Sequence, residues 1–155
     1  MPSFQVATTT ATLAASTAYT AIELRPPAGT TIKIAKWWCD LDSSTSTDKP
    51  VFVQAGGFSA AVTTATANTP LALSGIGQLT AARTAASVNA TSEGAGTANA
   101  NCEPHYLLPQ GGLYVAWETD ETALWVPAGS FFRIRITPGS AITTTVANCG
   151  VVFVE

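Results

Sequence analysis

Charged side chains are scarce in this 155-residue sequence, at 11% of the chain against about 25% in typical soluble domains. Hydrophobic residues make up 46%, so the surface has to be covered largely by Thr, Ser, Ala, Asn and Gly. A neutral surface packs readily against other protein, because few ions lose their water on association. The scarcity of charge therefore favours a subunit of an assembly over a free monomer.

Basic residues are also few, and the formal net charge is -3. Arg133 and Arg135 cluster, alternating along one predicted strand, whereas the other basic residues are scattered. Binding nucleic acid through its phosphates requires a dense basic stripe, so we expect no nucleic-acid partner. No apolar run approaches the ~18 residues of a membrane span, and the N-terminus lacks the basic region of a signal peptide. We therefore expect no membrane partner.

Histidine occurs once, at His105, with neither Ser nor Cys at a spacing that indicates a catalytic partner. Triads assemble in space, so the sequence alone leaves such a partner open. Glu118, Asp120 and Glu121 could act as the paired carboxylates of a glycosidase, but a charged hairpin tip is the favoured interpretation. We expect no catalytic residues and no enzyme activity.

The three cysteines, Cys39, Cys102 and Cys149, form no CxxC pair, and their odd number excludes a complete intrachain disulfide framework. Cys39 and Cys149 lie in apolar runs, which predicts buried thiols. A pairing that involves Cys102 is the alternative. Cys102 and His105 could form half of a zinc site, but only if Cys39 and Cys149 converged on them.

An aspartate group, Asp40, Asp42 and Asp48, has some likeness to an oxygen-rich calcium loop. The EF-hand pattern fails because no glycine stands at its sixth position and Val51 occupies its twelfth. A solvated loop is the favoured interpretation. We therefore expect neither a metal ion nor a cofactor.

Residues 1–17 are nearly all small, with too few large side chains to form a core of their own. A disordered tail is one interpretation, and the other is an extended arm on a neighbouring subunit. The Thr-rich composition favours the arm. Phe4, Val6 and Leu13 are its candidate interface residues, and residues 18–155 are expected to form a single β-sandwich domain.

The rest of the chain shows short apolar or alternating runs divided by Pro and Gly turns, without an amphipathic helix. We expect about eight strands near residues 18–24, 31–41, 50–55, 106–108, 113–118, 124–126, 130–137 and 142–155. Residues 58–101 are predicted to be long loops with one or two strands. This pattern predicts an all-β fold, an antiparallel β-sandwich of the jelly-roll type.

The alternation of the second run breaks after Ile32 and Ile34, which predicts a β-bulge within residues 35–37. Trp37 and Trp38 must then point to opposite faces of a sheet, so at most one of them lies in the core. Tryptophan is enriched at interface hot spots. We take these two and Trp125 as further candidate interface residues, and a sugar-binding platform is the alternative.

Residues 27–34 repeat in residues 127–134, with Pro-Ala-Gly followed by a hydroxyl, a basic and an aliphatic position. Such a turn could start one strand in each of two facing sheets, as in the paired Greek keys of a jelly roll. Coincidence of turn chemistry is the alternative.

Six features of the sequence belong together: a Thr/Ala-rich start, Leu24-Arg25-Pro26-Pro27-Ala28-Gly29, a strand from Ile32 to Leu41 that runs into Asp42-Ser43-Ser44, Asp48-Lys49-Pro50-Val51-Phe52-Val53-Gln54, Trp117-Glu118 and Val126-Pro127-Ala128-Gly129. Taken together, these features resemble a family of small tailed-bacteriophage virion proteins. The resemblance covers most of the chain from about Ala18 and matches residues 58–101 least well.

The resemblance implies a jelly-roll capsid decoration protein, made in the bacterial host cytoplasm and located on the capsid surface of the virion. Its implied partners are the major capsid protein and further copies of itself, in a homotrimer that cements the assembled shell. It implies no catalytic residues or cofactors. The alternative from the residues is a tail-associated or capsid-surface module that binds carbohydrate or a receptor.

Overall fold

The computed structural model describes residues 1–8, 10–43, 49–73, 81–93, 102–117, 119, 122–140, 142 and 145–155. These residues form strands and no helix, which confirms the predicted all-β class. None of the described residues belongs to a helix that could span a membrane. The strands are β1 (Ser3–Ala7), β2 (Ala11–Thr12), β3 (Tyr19–Arg25), β4 (Ile32–Asp42), β5 (Val51–Phe58), β6 (Thr64–Asn68), β7 (Leu71–Ala72), β8 (Ala85–Ser92), β9 (Glu103–Leu107), β10 (Gly112–Ala116), β11 (Leu124–Val126), β12 (Phe131–Thr137) and β13 (Val146–Val154).

The strands form two antiparallel sheets. The seven-stranded sheet has the order β10-β4-β13-β1-β7. In it, β10 and β11 lie end to end along one edge of β4, and β1 and β2 lie end to end along β13. The six-stranded sheet has the order β6-β8-β3-β12-β5-β9. The two sheets share one hydrophobic core, so the architecture is a β-sandwich.

Period-two alternation sends one side of each central strand into this core. In β12 the buried residues Phe132, Ile134 and Ile136 alternate with Arg133 and Arg135, as the sequence predicts. The six-stranded sheet therefore has an apolar inner face and a basic row on the outer side of β12.

The predicted bulge lies at Ala35. Val152 pairs with Lys36 while the next residue, Phe153, pairs with Ile34, so β4 has one residue more than β13 at this point. The extra residue restores the phase, and Trp37 is fully buried. The prediction of a bulge in residues 35–37 is confirmed.

The two Pro-Ala-Gly segments form the same turn. The amide of Thr30 donates to the carbonyl of Pro27, and that of Ser130 donates to Pro127, both at 3.1 Å. The glycines between them have φ of 75° and 81°, which is the third position of a type II turn and favours glycine. The strands that follow, β4 and β12, lie in different sheets, as the repeat predicts.

The N-terminal residues differ most from their prediction. Instead of projecting as an arm, β1 lies between β13 and β7 of its own sheet, and the ring of Phe4 stacks on Phe153 with centroids 5.5 Å apart. Val6 and Leu13 are buried in the same core. Phe4 and Val6 alternate with polar residues, so this short strand has an apolar face that its own chain covers. In the single chain, β1 and β2 therefore pair within the seven-stranded sheet.

The middle third has more regular structure than predicted. It contains β6, β7 and β8, and the eight residues of β8 join the six-stranded sheet beside β3. Residues 74–80 and 94–101, where long loops were predicted, lie outside the described residues.

Candidate functional site

The lone histidine lies in β9 at the edge of the six-stranded sheet, where it pairs with Val53. Its ring centroid is 5.8 Å from that of Trp37, and its Nε2 is 3.9 Å from Oε2 of Glu103. The Cys102 thiol donates to the carbonyl of Gly57 at 3.2 Å. This environment explains His105 as a packing residue at the rim of the core.

The metal half-sites do not converge in the described part of the chain. Among those residues, no group of three or more His, Cys, Asp or Glu side chains could hold a metal ion. Cys39 and Cys149 are buried on β4 and β13 of the other sheet. Asp40 and Asp42 are exposed on the outer side of β4.

The remaining acidic candidates cannot be placed in the fold. Asp48 of the aspartate group lies outside the described residues. The same holds for the hairpin carboxylates Glu118, Asp120 and Glu121. The calcium-loop and glycosidase alternatives therefore both involve residues outside the described part of the chain.

A buried ion pair is the main feature that sequence reasoning missed. Arg133 and Glu23 are directly opposed on β12 and β3, their side chains are fully buried, and Nε lies 2.9 Å from Oε2. The same Glu23 oxygen accepts from the amide of Val62 at 2.7 Å, and its other oxygen pairs with Arg25. The Glu23 carboxylate thus has three partners, the side chains of Arg133 and Arg25 and the amide of Val62.

The guanidinium of Arg133 fastens a connecting segment over the outer side of the six-stranded sheet. It donates to the carbonyl of Ala60 and lies 5.0 Å from the ring centroid of Phe58. Next to it, Arg135 lies 3.2 Å from a Glu93 oxygen, which also accepts from Thr20 at 2.8 Å. These contacts make the charges structural, because they hold chain to chain and leave no exposed ionised group at Glu23 or Arg133.

The outer side of the seven-stranded sheet, in contrast, presents aromatic side chains to solvent. Tyr114 is 60% exposed and Trp125 is 44% exposed, while Trp38 between β10 and β13 is half-buried. Lys36 lies over the Tyr114 ring, with Nζ 5.7 Å from the centroid. We call the outward side chains of Lys36, Trp38, Tyr114 and Trp125 the outer aromatic face.

Register explains how Trp38 lies in this surface. Trp38 pairs with Tyr114 on one side and with Gly150 on the other. A Cβ atom at position 150 would overlap the Trp38 ring, so the absence of a side chain there lets the indole lie over β13. Along β4, Lys33 and Lys36 precede Trp38, and Asp40 and Asp42 follow it. The surface therefore combines an aromatic centre with charges of both signs.

The six predicted interface residues divide into two groups. Phe4, Val6, Leu13 and Trp37 are buried in the core of the chain itself, so in the single chain they need no neighbouring subunit to cover them. Trp38 and Trp125 lie on the outer aromatic face. Each of the four buried residues has an inward position on a strand or packs under one, which an isolated sequence does not distinguish from contact with a neighbour.

Sequence reasoning also missed two tyrosines. Tyr114 lies between Leu113 and Val115, which pack against the core, so period-two alternation could have placed it outside. Tyr106 is 75% exposed on β9, and its ring is 5.1 Å from that of Phe52. The chain therefore has exposed aromatic residues on the outer side of both sheets, with the larger group on the seven-stranded one.

Comparisons with protein-family models, with curated proteins and with solved structures found no match. A functional conclusion must therefore come from the geometry of the chain. In the described residues that geometry offers an aromatic sheet face, a structural charge network and a shared core.

Proposed function

We propose that this chain is a viral structural protein, a capsid decoration protein that binds the assembled major capsid protein shell and stabilises it. The observation that carries the proposal is the outer aromatic face of the seven-stranded sheet. Trp and Tyr, which are exposed here on the outer side of the sheet, are residue types enriched at interface hot spots. With 11% charged residues, little of the chain's surface as a whole resists the loss of water on association, and the charges beside this face, on Lys33, Lys36, Asp40 and Asp42, are of both signs.

The contrast between the two sheets supports the choice of surface. Residues 58–62 and Glu93 cover the central outer side of the six-stranded sheet through Arg133 and Arg135. On the seven-stranded sheet, Tyr114 and Trp125 retain much of their exposure. The proposal places intersubunit contacts here rather than on an N-terminal arm, because β1 already belongs to the core.

Strand order supports the finer assignment of the fold as a jelly roll. The strands β1, β13, β4 and β10 are neighbours in one sheet, and β3, β12, β5 and β9 in the other. Along the chain these eight strands alternate between sheets, apart from the step from β5 to β9, into which β6, β7 and β8 are inserted. Such alternation supports a jelly roll, in which two Greek keys are wrapped around one core.

The resemblance to virion proteins supports the choice of partner. In this proposal the subunits form a homotrimer on the capsid surface of the virion, after synthesis in the bacterial host cytoplasm. Many equivalent contacts around a shell strengthen binding together, so each subunit contact can be modest.

Co-sedimentation with the assembled shells of the phage that encodes the chain tests the proposal. We expect wild-type protein to pellet with shells and Tyr114→Ser to bind at least tenfold more weakly, because loss of a hot-spot aromatic from the contact between subunits weakens the homotrimer and with it the multivalent binding to the shell. Tyr106→Ser, which removes an exposed tyrosine from the other sheet, is the matched control and should bind normally. Absence of wild-type binding, or equal loss in both variants, would contradict the proposal.

A second candidate is a carbohydrate- or receptor-binding module, which the exposure of Trp125 and Tyr114 favours. Aromatic rings stack on the apolar faces of sugar rings, and a sheet face can hold several in a plane. Calorimetric titration with oligosaccharides from bacterial surfaces discriminates it. Saturable heat that disappears in Trp125→Ala would support this candidate, and absence of heat would leave the shell as the partner.

A further inference from the structure

Two of the three cysteines meet in the core. Cys39 on β4 and Cys149 on β13 are directly opposed partners in the central strand pair of the seven-stranded sheet. Both side chains point inward and are buried, and both thiols are reduced in the structure. Cys102 lies at the other sheet, where its thiol contacts Gly57.

The hydrogen bonds around Cys149 define the type of strand pair. Its carbonyl accepts from the amide of Thr8 at 2.9 Å, and its amide donates to Oγ1 of Thr8 at 2.9 Å. The N–H and C=O of one strand residue point the same way, so both point away from β4. Cys39 and Cys149 therefore form a non-hydrogen-bonded pair, in which Cα atoms lie about 4.5 Å apart and side chains are closest.

This spacing meets the requirement for a disulfide, whose Cα atoms lie roughly 4.4–6.8 Å apart. The two thiols also interact with each other: a hydrogen bond between the Cys149 thiol and Cys39 raises the pKa of Cys149 well above its ordinary value, and burial adds to the effect. The Cα spacing, the inward direction of both side chains and the interaction of the two thiols thus allow a disulfide to form without movement of either strand.

We propose that Cys39 and Cys149 are a cross-linking site, oxidised by a small peroxide to a cross-strand disulfide that joins β4 to β13. The proposal goes beyond the function in assembly and is independent of it.

The chemistry balances with hydrogen peroxide as the oxidant. One sulfur attacks a peroxide oxygen, the O–O bond breaks, and the products are a sulfenic acid and water. The second sulfur then attacks the sulfenic sulfur, the S–O bond breaks, and a second water leaves with the remaining proton. Two thiols are oxidised to one disulfide, and the peroxide is reduced to two waters.

The surroundings favour this pair over other products. The oxidant has to be small because both thiols are buried, and the raised pKa of Cys149 makes reaction slow at neutral pH. Reaction should speed up as pH rises, because the thiolate is the nucleophile. Once one sulfur is oxidised, the other is in contact with it, so disulfide formation should precede further oxidation.

The experiment treats folded wild-type protein with hydrogen peroxide, blocks remaining thiols with iodoacetamide in denaturant, and measures mass. We expect a loss of two hydrogens, about 2 Da, with Cys102 still available for alkylation. Trypsin digestion without reductant should join peptides 37–83 and 136–155, and dithiothreitol should separate them. The link closes a loop of about 110 residues and should raise the midpoint of thermal unfolding by on the order of 10 °C.

Cys102→Ser is the matched control and should cross-link as wild type does, whereas Cys39→Ser should not. The peptide map of wild-type protein gives the answer even if Cys39→Ser folds poorly. Three results would overturn the proposal: addition of oxygen to Cys39 or Cys149 without a link, a link that forms only in denaturant, or a link to Cys102. None of them bears on shell binding, so the two proposals can fail separately.

Discussion

At the scale of single residues, Glu23 shows how this charge-poor chain uses one of its few acids. Its carboxylate is fully buried and contacts the side chains of Arg133 and Arg25 and the amide of Val62. A buried charge is tolerated because each of these groups replaces water as a partner. The pair thereby ties β3, β12 and the segment after β5 together.

Glu23→Gln should lower the free energy of unfolding by about 3–5 kcal/mol, because the buried Arg133 guanidinium loses its counter-charge. Urea denaturation measures this. Arg25→Ala is the control on the same carboxylate: its side chain is 42% exposed, so its loss should cost less than about 1 kcal/mol. Equal decreases in the free energy of unfolding for Glu23→Gln and Arg25→Ala would contradict the assignment of Arg133 as the main partner of Glu23.

The half-buried phenol of Tyr19 and the buried thiol of Cys149 should make the fold sensitive to alkali. Burial raises the pKa of Tyr19 above its ordinary 10.0, and the Cys39 hydrogen bond raises that of Cys149 above 9.0. Below about pH 8.5 both groups are mostly neutral in the folded and in the unfolded state, so their contribution to stability is nearly fully present. As pH rises further, the unfolded chain releases protons first, and the contribution is lost as pH approaches the folded pKa values.

Chemical denaturation between pH 7 and 11 measures this effect. We expect an unfolding free energy that is independent of these groups up to about pH 8.5 and that decreases above it. In Tyr19→Phe the decrease above pH 10 should be smaller, because the titrating hydroxyl is gone. An identical slope in the variant would rule out Tyr19 as a cause.

At the scale of elements, the outer surface of β4 and β13 depends on one missing side chain. Gly150→Ala should lower the unfolding free energy by about 1–3 kcal/mol, because the new methyl group overlaps the Trp38 ring. In a Trp38→Ala background the same change should cost less. Gly139→Ala is the control, since no atom lies within 4 Å of a Cβ there. Equal costs in both backgrounds would disprove the overlap.

Elements with local signals could be predicted from the sequence. The alternation in β12, the break that produced the bulge at Ala35 and the Pro-Ala-Gly turns each follow from adjacent residues. In β8, by contrast, the buried residues Ala86, Val88 and Ala90 are nearly as small as the residues between them, so the one or two strands expected in residues 58–101 could not be located from the sequence. Pairing of Glu23 with Arg133 could not be foreseen either, because it depends on a register between strands 110 residues apart.

At the scale of the whole molecule, the fold class could be predicted but the contact surface only in part. A strand with one apolar side has the same sequence pattern whether the facing sheet of its own chain or a neighbouring subunit covers that side. Phe4 and Trp37 are therefore core residues, although the sequence favoured an interface. Of the adjacent pair Trp37 and Trp38, one lies in the core and the other faces outward, as the alternation requires, and Tyr114 joins Trp38 and Trp125 on the outer side because β10 pairs with β4.

The outer surfaces of the six-stranded and the seven-stranded sheet differ in the side chains that they present to solvent. Connecting segments and buried ion pairs cover the centre of one sheet, while the other presents aromatic rings and a line of charges of both signs. An assembly that forms through the seven-stranded sheet would cover the face that the described residues leave exposed. The account therefore predicts self-association through that sheet.

Sedimentation equilibrium of the purified chain tests this claim most directly. The account predicts a wild-type mass that is a multiple of 15.9 kDa, three times that value for the trimer, and a folded 15.9 kDa particle for Tyr114→Glu, which places a charge in the contact. A wild-type protein that stays at 15.9 kDa at every soluble concentration would contradict it.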